Sequence, residues 1–273
     1  MKQMNLKDIQ QVSLEILKEV HSFCIENGIQ YSLAYGTLLG AIRHKGFIPW
    51  DDDIDICMTR PNYEQFVKTF RSANGLKVIA KQDCYIAFAR ISDAEKTATS
   101  TTLPWTKVEG TGMWIDLFPV DLVEDDYAIY LAKLQKALNL YENQLGARRA
   151  LPSVSLKSGL KGALKQVCRK LKYRNNRLSD INARLEQLCT SAAGFATAHC
   201  TQLACPDASC IEHLPTDYFN DYVDVDFEGN KFKAIKQWDA CLSKLYGDYM
   251  QLPPEEDRRQ HSCGHTQFYW KTK

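Results

Sequence analysis

The sequence lacks an excess of charge of either sign. Its 34 lysine and arginine residues nearly balance 33 aspartate and glutamate residues, which leaves a formal net charge of +1. A protein that binds nucleic acid usually presents a strongly basic surface, so this balance does not favour such a partner. We therefore expect any electrostatic function to depend on local clusters of side chains.

Long apolar segments are also missing. No apolar run approaches the roughly 20 residues that a helix needs to cross a bilayer, and residues 1–8 lack the apolar core of a signal peptide. Internal repeats and low-complexity segments are absent too. These absences predict a soluble, cytoplasmic protein.

Cysteine, in contrast, is plentiful, with 10 residues. Their sequence contexts are apolar, which favours reduced, buried thiols over a secreted disulfide framework, as at Cys24, Cys57, Cys168, Cys189 and Cys241. A second group leaves a zinc site open as an alternative, although its irregular spacing favours separate buried thiols: His199, Cys200, Cys205, Cys210 and His213.

The hydrophobic pattern predicts an α/β fold of the α+β kind. Helical spacing over Asn5–Asn27 ends at Gly28, a short strand over Ile29–Ala34 leads into a glycine turn at Gly36–Gly40, and a short helix follows to His44. A hairpin is predicted over Tyr222–Asn230. We predict three parts: a catalytic core at 1–125, a mainly helical lobe inserted at 126–215, and a C-terminal β and helix segment at 216–273 that packs back on the core.

The run Asp51-Asp52-Asp53-Ile54-Asp55 is the strongest chemical signal in the chain. In an extended segment, alternate residues share a face, so Asp51, Asp53 and Asp55 would point one way and Asp52 the other. Asp116 lies between apolar residues in another predicted strand, where a buried charge needs a partner. Oxygen-only ligands of this kind suit Mg²⁺ or Mn²⁺ and phosphoryl transfer, although an acidic run on the surface is the plainer alternative for Asp51–Asp55.

A complementary anion site is predicted just before the carboxylates. Glycines let the backbone approach a ligand, and the start of a helix favours a phosphate. The predicted phosphate-binding residues are Gly36, Thr37, Gly40, Arg43 and His44.

The segment from Tyr35 to Ile56, with its Gly-Thr-x-x-Gly and Asp-Asp-Asp-x-Asp motifs, closely resembles the signature of the LicD family. Two further segments are similar to the family, at Trp114–Asp121 and Tyr246–Pro254. The resemblance therefore covers parts of the beginning, middle and end of the chain.

This resemblance implies a polymerase-β-like nucleotidyltransferase core with a mixed sheet. It also implies transfer of phosphocholine, or a similar phospho-alcohol, from a CDP-activated donor such as CDP-choline to a hydroxyl of a cell-surface glycan, as in lipopolysaccharide or teichoic acid biosynthesis. Fukutin-type ribitol-phosphate transferases are relatives. By the resemblance, Gly36 and Thr37 contact the donor phosphates, while Asp53, Asp55 and Asp116 are catalytic and hold the metal.

Further substrate contacts are expected from the aromatic, acidic and basic residues of the same motifs and of the C-terminal part: Trp50, Asp51, Asp52, Asp121 and Arg258. Residues 155–177 carry eight basic and no acidic side chains with leucines at helical spacing. Such a helix can contact the inner face of a membrane, where a lipid-linked glycan acceptor would lie, or it can pack on the core. Two alternative functions stay open: transfer of a nucleoside monophosphate to a small acceptor, and non-catalytic binding of a nucleotide or glycan.

Overall fold

The computed structural model describes residues 1–80, 86–101, 111–150, 159–174, 178–207, 211–258 and 266–271. The helices in this part are α1 (Leu6–Asn27), α2 (Tyr35–Arg43), α3 (Arg60–Thr69), α4 (Tyr127–Ala150), α5 (Gly159–Lys172), α6 (Leu178–Cys189) and α7 (Trp238–Tyr246). The strands are β1 (Lys2–Gln3), β2 (Ser32–Leu33), β3 (Asp55–Thr59), β4 (Lys77–Ile79), β5 (Ala89–Asp93), β6 (Thr97–Thr101), β7 (Met113–Val123), β8 (His199–Thr201), β9 (Leu214–Pro215), β10 (Tyr222–Phe227), β11 (Asn230–Ile235) and β12 (Thr266–Trp270).

A mixed seven-stranded sheet lies at the centre. Its main order is β2-β3-β7-β5-β4, and β8 and β9 extend it from β7. The β3–β7 pair is parallel, whereas the neighbouring pairs are antiparallel. The main core cluster includes apolar side chains of β3, β7 and α1, among them Ile56, Ile115 and Leu17. The predicted combination of helices with a mixed sheet is confirmed.

The first helix and the C-terminal hairpin follow their local sequence signals. Asn5 caps α1, its side chain accepting from the Asp8 amide while the Asp8 carboxylate accepts from the Asn5 amide, and Gly28 ends the helix in the left-handed conformation. The β10–β11 hairpin turns through Glu228 and Gly229, both with positive φ, as a tight two-residue turn requires. Both predictions are confirmed.

The predicted glycine turn is wrong, because Gly36–Gly40 forms the first half of α2. Burial of Leu38 and Leu39 stabilises the helix. Gly40 lies so close to the backbone of the following loop that a Cβ atom at position 40 would be 2.5 Å from the Gly46 carbonyl oxygen. The glycine is therefore needed for helix packing, which outweighs its low helix propensity.

Three other features differ from or bear on the sequence predictions. Strands β8 and β9 fall within residues assigned to the helical lobe, yet they extend the central sheet. Cys168 is exposed and Cys57 is half-buried, whereas Cys24, Cys189, Cys200 and Cys241 are buried as expected. None of the helices in the described ranges is long and apolar enough to cross a membrane.

Candidate active site

Three side chains form a row across the central sheet. Asp55 at the start of β3 is paired with Asp116 on β7, and Asp116 is paired with Arg90 on β5. Paired residues on neighbouring strands project from the same face. The Arg90 Nε atom donates a hydrogen bond to the Asp116 Oδ1 atom at 2.8 Å. The pairing of the strands thus places two carboxylates and one guanidinium group side by side.

The other three aspartates of the acidic run, Asp51, Asp52 and Asp53, lie in the loop before β3. Oxygen atoms of Asp51, Asp52 and Asp53 lie within 4.8 Å of one another. Asp52 is buried, however, while Asp51, Asp53, Asp55 and Asp116 line a cavity of about 1010 Å³. We therefore take these four of the carboxylates that line the cavity as the candidate cation site. The sequence predicts that Asp52 faces away from the other three. Asp52 does not line the cavity, but its carboxylate lies close to those of Asp51 and Asp53, and residues 51–54 form a loop before β3 and do not continue the strand.

The electrostatics of the cavity favour a bound cation. Burial, followed by repulsion from Asp55 and Asp51, raises the pKa of Asp53 to about 10. Burial and the charges of Asp116 and Asp51 raise the pKa of Asp55 well above its usual value, while Arg90 opposes this shift. Among the described residues that line the cavity, Arg90 is the one cationic side chain. Its single charge is too little to neutralise the four carboxylates, and a bound divalent cation would offset much of the remaining negative charge.

The N-terminus of α2 closes one side of the cavity. Gly36 lines it, and a Cβ atom at this position would lie 2.8 Å from the Asp51 Oδ2 atom. Thr37 is buried, and its Oγ1 atom accepts a hydrogen bond from the Asp55 amide at 2.8 Å. The motif therefore has two physical roles: the glycine makes room for a carboxylate, and the threonine fixes the first residue of β3.

The other predicted phosphate contacts lie away from this end of α2. Arg43 and His44 lie at its C-terminal end, roughly 10 Å along the helix axis. The Arg43 Nη1 atom donates to the carbonyl oxygen of Tyr249 at 2.7 Å, and its Nε atom donates to the His44 Nε2 atom. Arg43 and the close packing of Gly40 on Gly46 thus hold α2 against the Tyr249 segment and the loop after α2.

The predicted substrate-binding residues outside the acidic run make contacts with other parts of the protein. Asp121 is 1% exposed and accepts two hydrogen bonds from Arg60, each of 2.6 Å. The Arg258 guanidinium lies 5.3 Å from the centre of the Trp50 ring, and its Nε atom donates to the Pro253 carbonyl oxygen. These contacts place Asp121 in a buried ion pair and join Trp50 to the C-terminal segment.

The cavity also contains residues that sequence reasoning missed. Arg90 stacks on the Trp114 ring at 4.2 Å, and its occurrence in an apolar strand was a usable signal. Glu212, which also lines the cavity, is hydrogen-bonded to Tyr35, and burial raises its pKa to about 7. Tyr35 has φ of 47°, an uncommon backbone conformation for a residue with a side chain. No local pattern connects Glu212 with Tyr35, because their contact depends on the fold.

The residues considered for zinc do not converge in the described part of the chain. His199 and His213 stack with ring centres 3.9 Å apart, but they bond to Asp125 and to the Glu124 carbonyl oxygen. Cys200 donates to the Pro215 carbonyl oxygen and Cys205 to the Tyr141 hydroxyl. These contacts favour separate thiols over a metal site, and Cys210 lies outside the described residues.

Residues 28–136 match the family model described as LicD/FKTN/FKRP, nucleotidyltransferase domain. Over 271 residues, the chain is 30% identical to the lipopolysaccharide cholinephosphotransferase LicD of Haemophilus influenzae, covering 96% of this chain and 97% of that protein. It is also 32% identical over 91 residues to an uncharacterised protein of Rickettsia typhi, covering 30% of this chain and 29% of that protein. Over 42 residues it is 50% identical to an uncharacterised protein of Rickettsia prowazekii, covering 15% of this chain and 16% of that protein.

Proposed function

Because this chain belongs to the LicD family, as the near-complete alignment with a LicD protein shows, we propose that it transfers phosphocholine or a related phospho-alcohol. The donor would be CDP-activated, and the acceptor would be a hydroxyl of a cell-surface glycan such as lipopolysaccharide or its lipid-linked precursor. The observation that carries this proposal is the row of Asp55 and Asp116, which lies in a cavity and belongs to the part of the chain that matches the family model.

Mg²⁺ or Mn²⁺ fits the donor atoms that the cavity offers. Asp53, Asp55 and Asp116 would hold the cation, and the raised pKa values of Asp53 and Asp55 indicate negative charge that the chain leaves partly unbalanced. Carboxylate oxygens are the ligands that these ions prefer. When bound, the cation would neutralise charge on the donor diphosphate and on the leaving CMP.

The protein's own groups have distinct roles in the proposed reaction. The first amides of α2, beside Gly36, would face the donor phosphates, where the helix dipole favours an anion. Arg90 orients the Asp116 carboxylate through its hydrogen bond. A bond would form between the acceptor oxygen and phosphorus while the phosphorus bond to CMP breaks, and Asp116 would take the acceptor proton.

The domain arrangement completes the proposal. A polymerase-β-like core at 1–125 would supply the carboxylates and α2, and the helical lobe at 126–215 would supply the opposite wall through Tyr141, Gln202 and Glu212. The C-terminal part, 216–273, would pack on the core, as the β12–β6 pairing supports.

The test is an incubation of the protein with CDP-choline, CDP-ethanolamine or CDP-ribitol and Mg²⁺, in which CMP release and acceptor labelling are followed. We expect CMP from at least one donor and a loss of about 100-fold or more in Asp53→Ala. Asp226→Asn is the matched control, because Asp226 is exposed on the β10–β11 hairpin.

Each alternative function has its own outcome in this assay. Labelling of an acceptor with a nucleoside monophosphate and no CMP release would favour nucleotidyl transfer. Tight nucleotide binding with no product, unchanged by Asp53→Ala, would favour a non-catalytic binding module. An Asp116→Asn variant that kept normal turnover would contradict the role given to Asp116.

A further inference from the structure

Helix α5 exposes its apolar side chains to solvent. Leu160, Leu164, Val167 and Leu171 are 85%, 66%, 39% and 60% exposed. Their spacing of three and four residues places them in one stripe along the helix. In the described residues 159–174, the apolar stripe therefore does not pack on the protein core. Residues 155–158 and 175–177 lie outside the described ranges.

A different face of α5 contacts the rest of the protein. Ala163 is buried, and the Gln166 Nε2 atom donates to the Arg149 carbonyl oxygen on α4 at 3.2 Å. The Tyr173 ring, just beyond α5, fits against Gly146, where a Cβ atom would lie 2.2 Å from ring atoms. Small and polar residues thus fasten α5 to α4, and the leucines remain outside.

The charge beside the stripe indicates what covers it. Residues 159–172 carry five basic side chains and no carboxylate: Lys161, Lys165, Arg169, Lys170 and Lys172. Lys161, Lys165 and Lys172 are exposed. A helix with an apolar stripe and a basic flank matches the interface of an anionic bilayer, where leucines enter the acyl region and lysines meet lipid phosphates. Self-association through this face would instead bring like charges together.

We propose that α5 is a membrane-docking helix that lies in the plane of an anionic lipid surface. The test is sedimentation of the full chain with phosphatidylglycerol/phosphatidylcholine vesicles and with pure phosphatidylcholine vesicles. We expect binding to the former that weakens as salt is added. Leu164→Gln/Leu171→Gln should lower the partition coefficient about 100-fold, because both side chains enter the bilayer. Lys161→Gln/Lys165→Gln should lower it roughly fivefold per lysine.

Matched controls separate loss of membrane docking from loss of folding and from nonspecific adsorption to vesicles. Ile25→Gln removes an exposed apolar side chain from α1, and Lys7→Gln/Lys68→Gln removes two exposed charges elsewhere. We expect both controls to bind vesicles as the wild type does, with an unchanged melting temperature in all variants. Absence of binding to anionic vesicles would overturn the proposal, as would binding that survives Leu164→Gln/Leu171→Gln. A dimer in light scattering that only the leucine variant abolishes, without vesicle binding, would identify a second copy as the occupant instead.

Discussion

Arg90 shows how one side chain can organise an acidic cavity. Its guanidinium donates to Asp116, lies above the Trp114 ring and borders the same cavity as Asp55. The flat fork of an arginine can make the hydrogen bond and the ring contact together, which the ammonium group of lysine cannot do. The position of Asp116 therefore depends on shape as well as on charge.

Arg90→Lys should reduce kcat on the order of 10- to 100-fold, because Asp116 loses its fixed orientation while the charge is kept. CMP release under saturating donor measures this effect. The control is Arg71→Lys, since the exposed Arg71 donates only to nearby carbonyl oxygens in the described structure. A kcat unchanged in Arg90→Lys would contradict the positioning role.

Glu212 should make stability depend on pH. Burial raises its folded pKa to about 7 from an ordinary value of 4.5, so the folded state holds a proton that the unfolded chain has lost between these pH values. The contribution of Glu212 to stability is fully present below pH 4.5 and is lost as the pH rises through 7, by up to about 1.4 kcal/mol per pH unit.

The prediction for Glu212→Gln follows from that sign. The melting temperature of Glu212→Gln minus that of the wild type, both measured in EDTA, should increase from pH 5 to pH 8. Glu26→Gln, an exposed substitution on α1, should follow the wild-type pH profile. Parallel profiles for Glu212→Gln and the wild type would show that this carboxyl group titrates normally.

At the scale of elements, α2 is the part that connects packing with chemistry. Its N-terminal end faces the cavity through Gly36, and its C-terminal end is tied to the Tyr249 carbonyl oxygen by Arg43. Between these ends, Thr37 accepts from the Asp55 amide. A displacement of α2 would therefore move the start of β3 and the first cavity carboxylate on that strand.

Thr37→Val should destabilise the protein by about 1–3 kcal/mol, because the isosteric side chain leaves the Asp55 amide without this acceptor. Urea unfolding measures the change, and CMP release should fall with it. Thr69→Val is the control, since the Thr69 hydroxyl donates to a carbonyl oxygen at the exposed end of α3. An unfolding free energy equal to that of the wild type would show that the Thr37 hydrogen bond does not stabilise β3.

Sequence patterns anticipated some elements better than others. The Asn5 cap, the Gly28 stop and the hairpin turn rest on local rules and were predicted correctly. The glycines at positions 36 and 40 predict a turn because glycine usually marks turns, but close packing against Asp51 and Gly46 explains both. Asp53, Asp55 and Asp116 were predicted from the sequence and line the cavity. Arg90 in an apolar strand offered a usable signal that was missed, whereas Glu212 reaches the cavity from a distant loop that no local signal reveals.

At the scale of the whole molecule, a buried ion pair connects the sheet to the helical lobe. Arg60 on α3 donates twice to Asp121 on β7, and its Nη1 atom also lies 3.4 Å from the Glu186 Oε1 atom on α6. Three elements distant in sequence thus meet at one guanidinium group. Removal of the Asp121 charge would leave the buried Arg60 guanidinium with only the longer contact to Glu186 to compensate its charge.

Asp121→Asn should therefore lower the free energy of unfolding by roughly 3 kcal/mol. Asp226→Asn removes one partner of an exposed pair with Lys231 and should change it by less than about 0.5 kcal/mol. Chemical denaturation measures both. A raised KM for the donor in Asp121→Asn, together with an unchanged unfolding free energy, would instead favour the substrate contact predicted from sequence.

The parallel pairing of Asp55 with Asp116 limits how this cavity can change. Strand register moves in whole residues, and a one-residue slip would turn Asp55 to the opposite face of the sheet. A shift in strand register therefore cannot change the distance between the two carboxylates by small steps. Substitution of side chains around the cavity can adapt it to a new donor or acceptor substrate. The spacing of Asp55 and Asp116, in contrast, stays fixed as long as β3 and β7 keep their pairing.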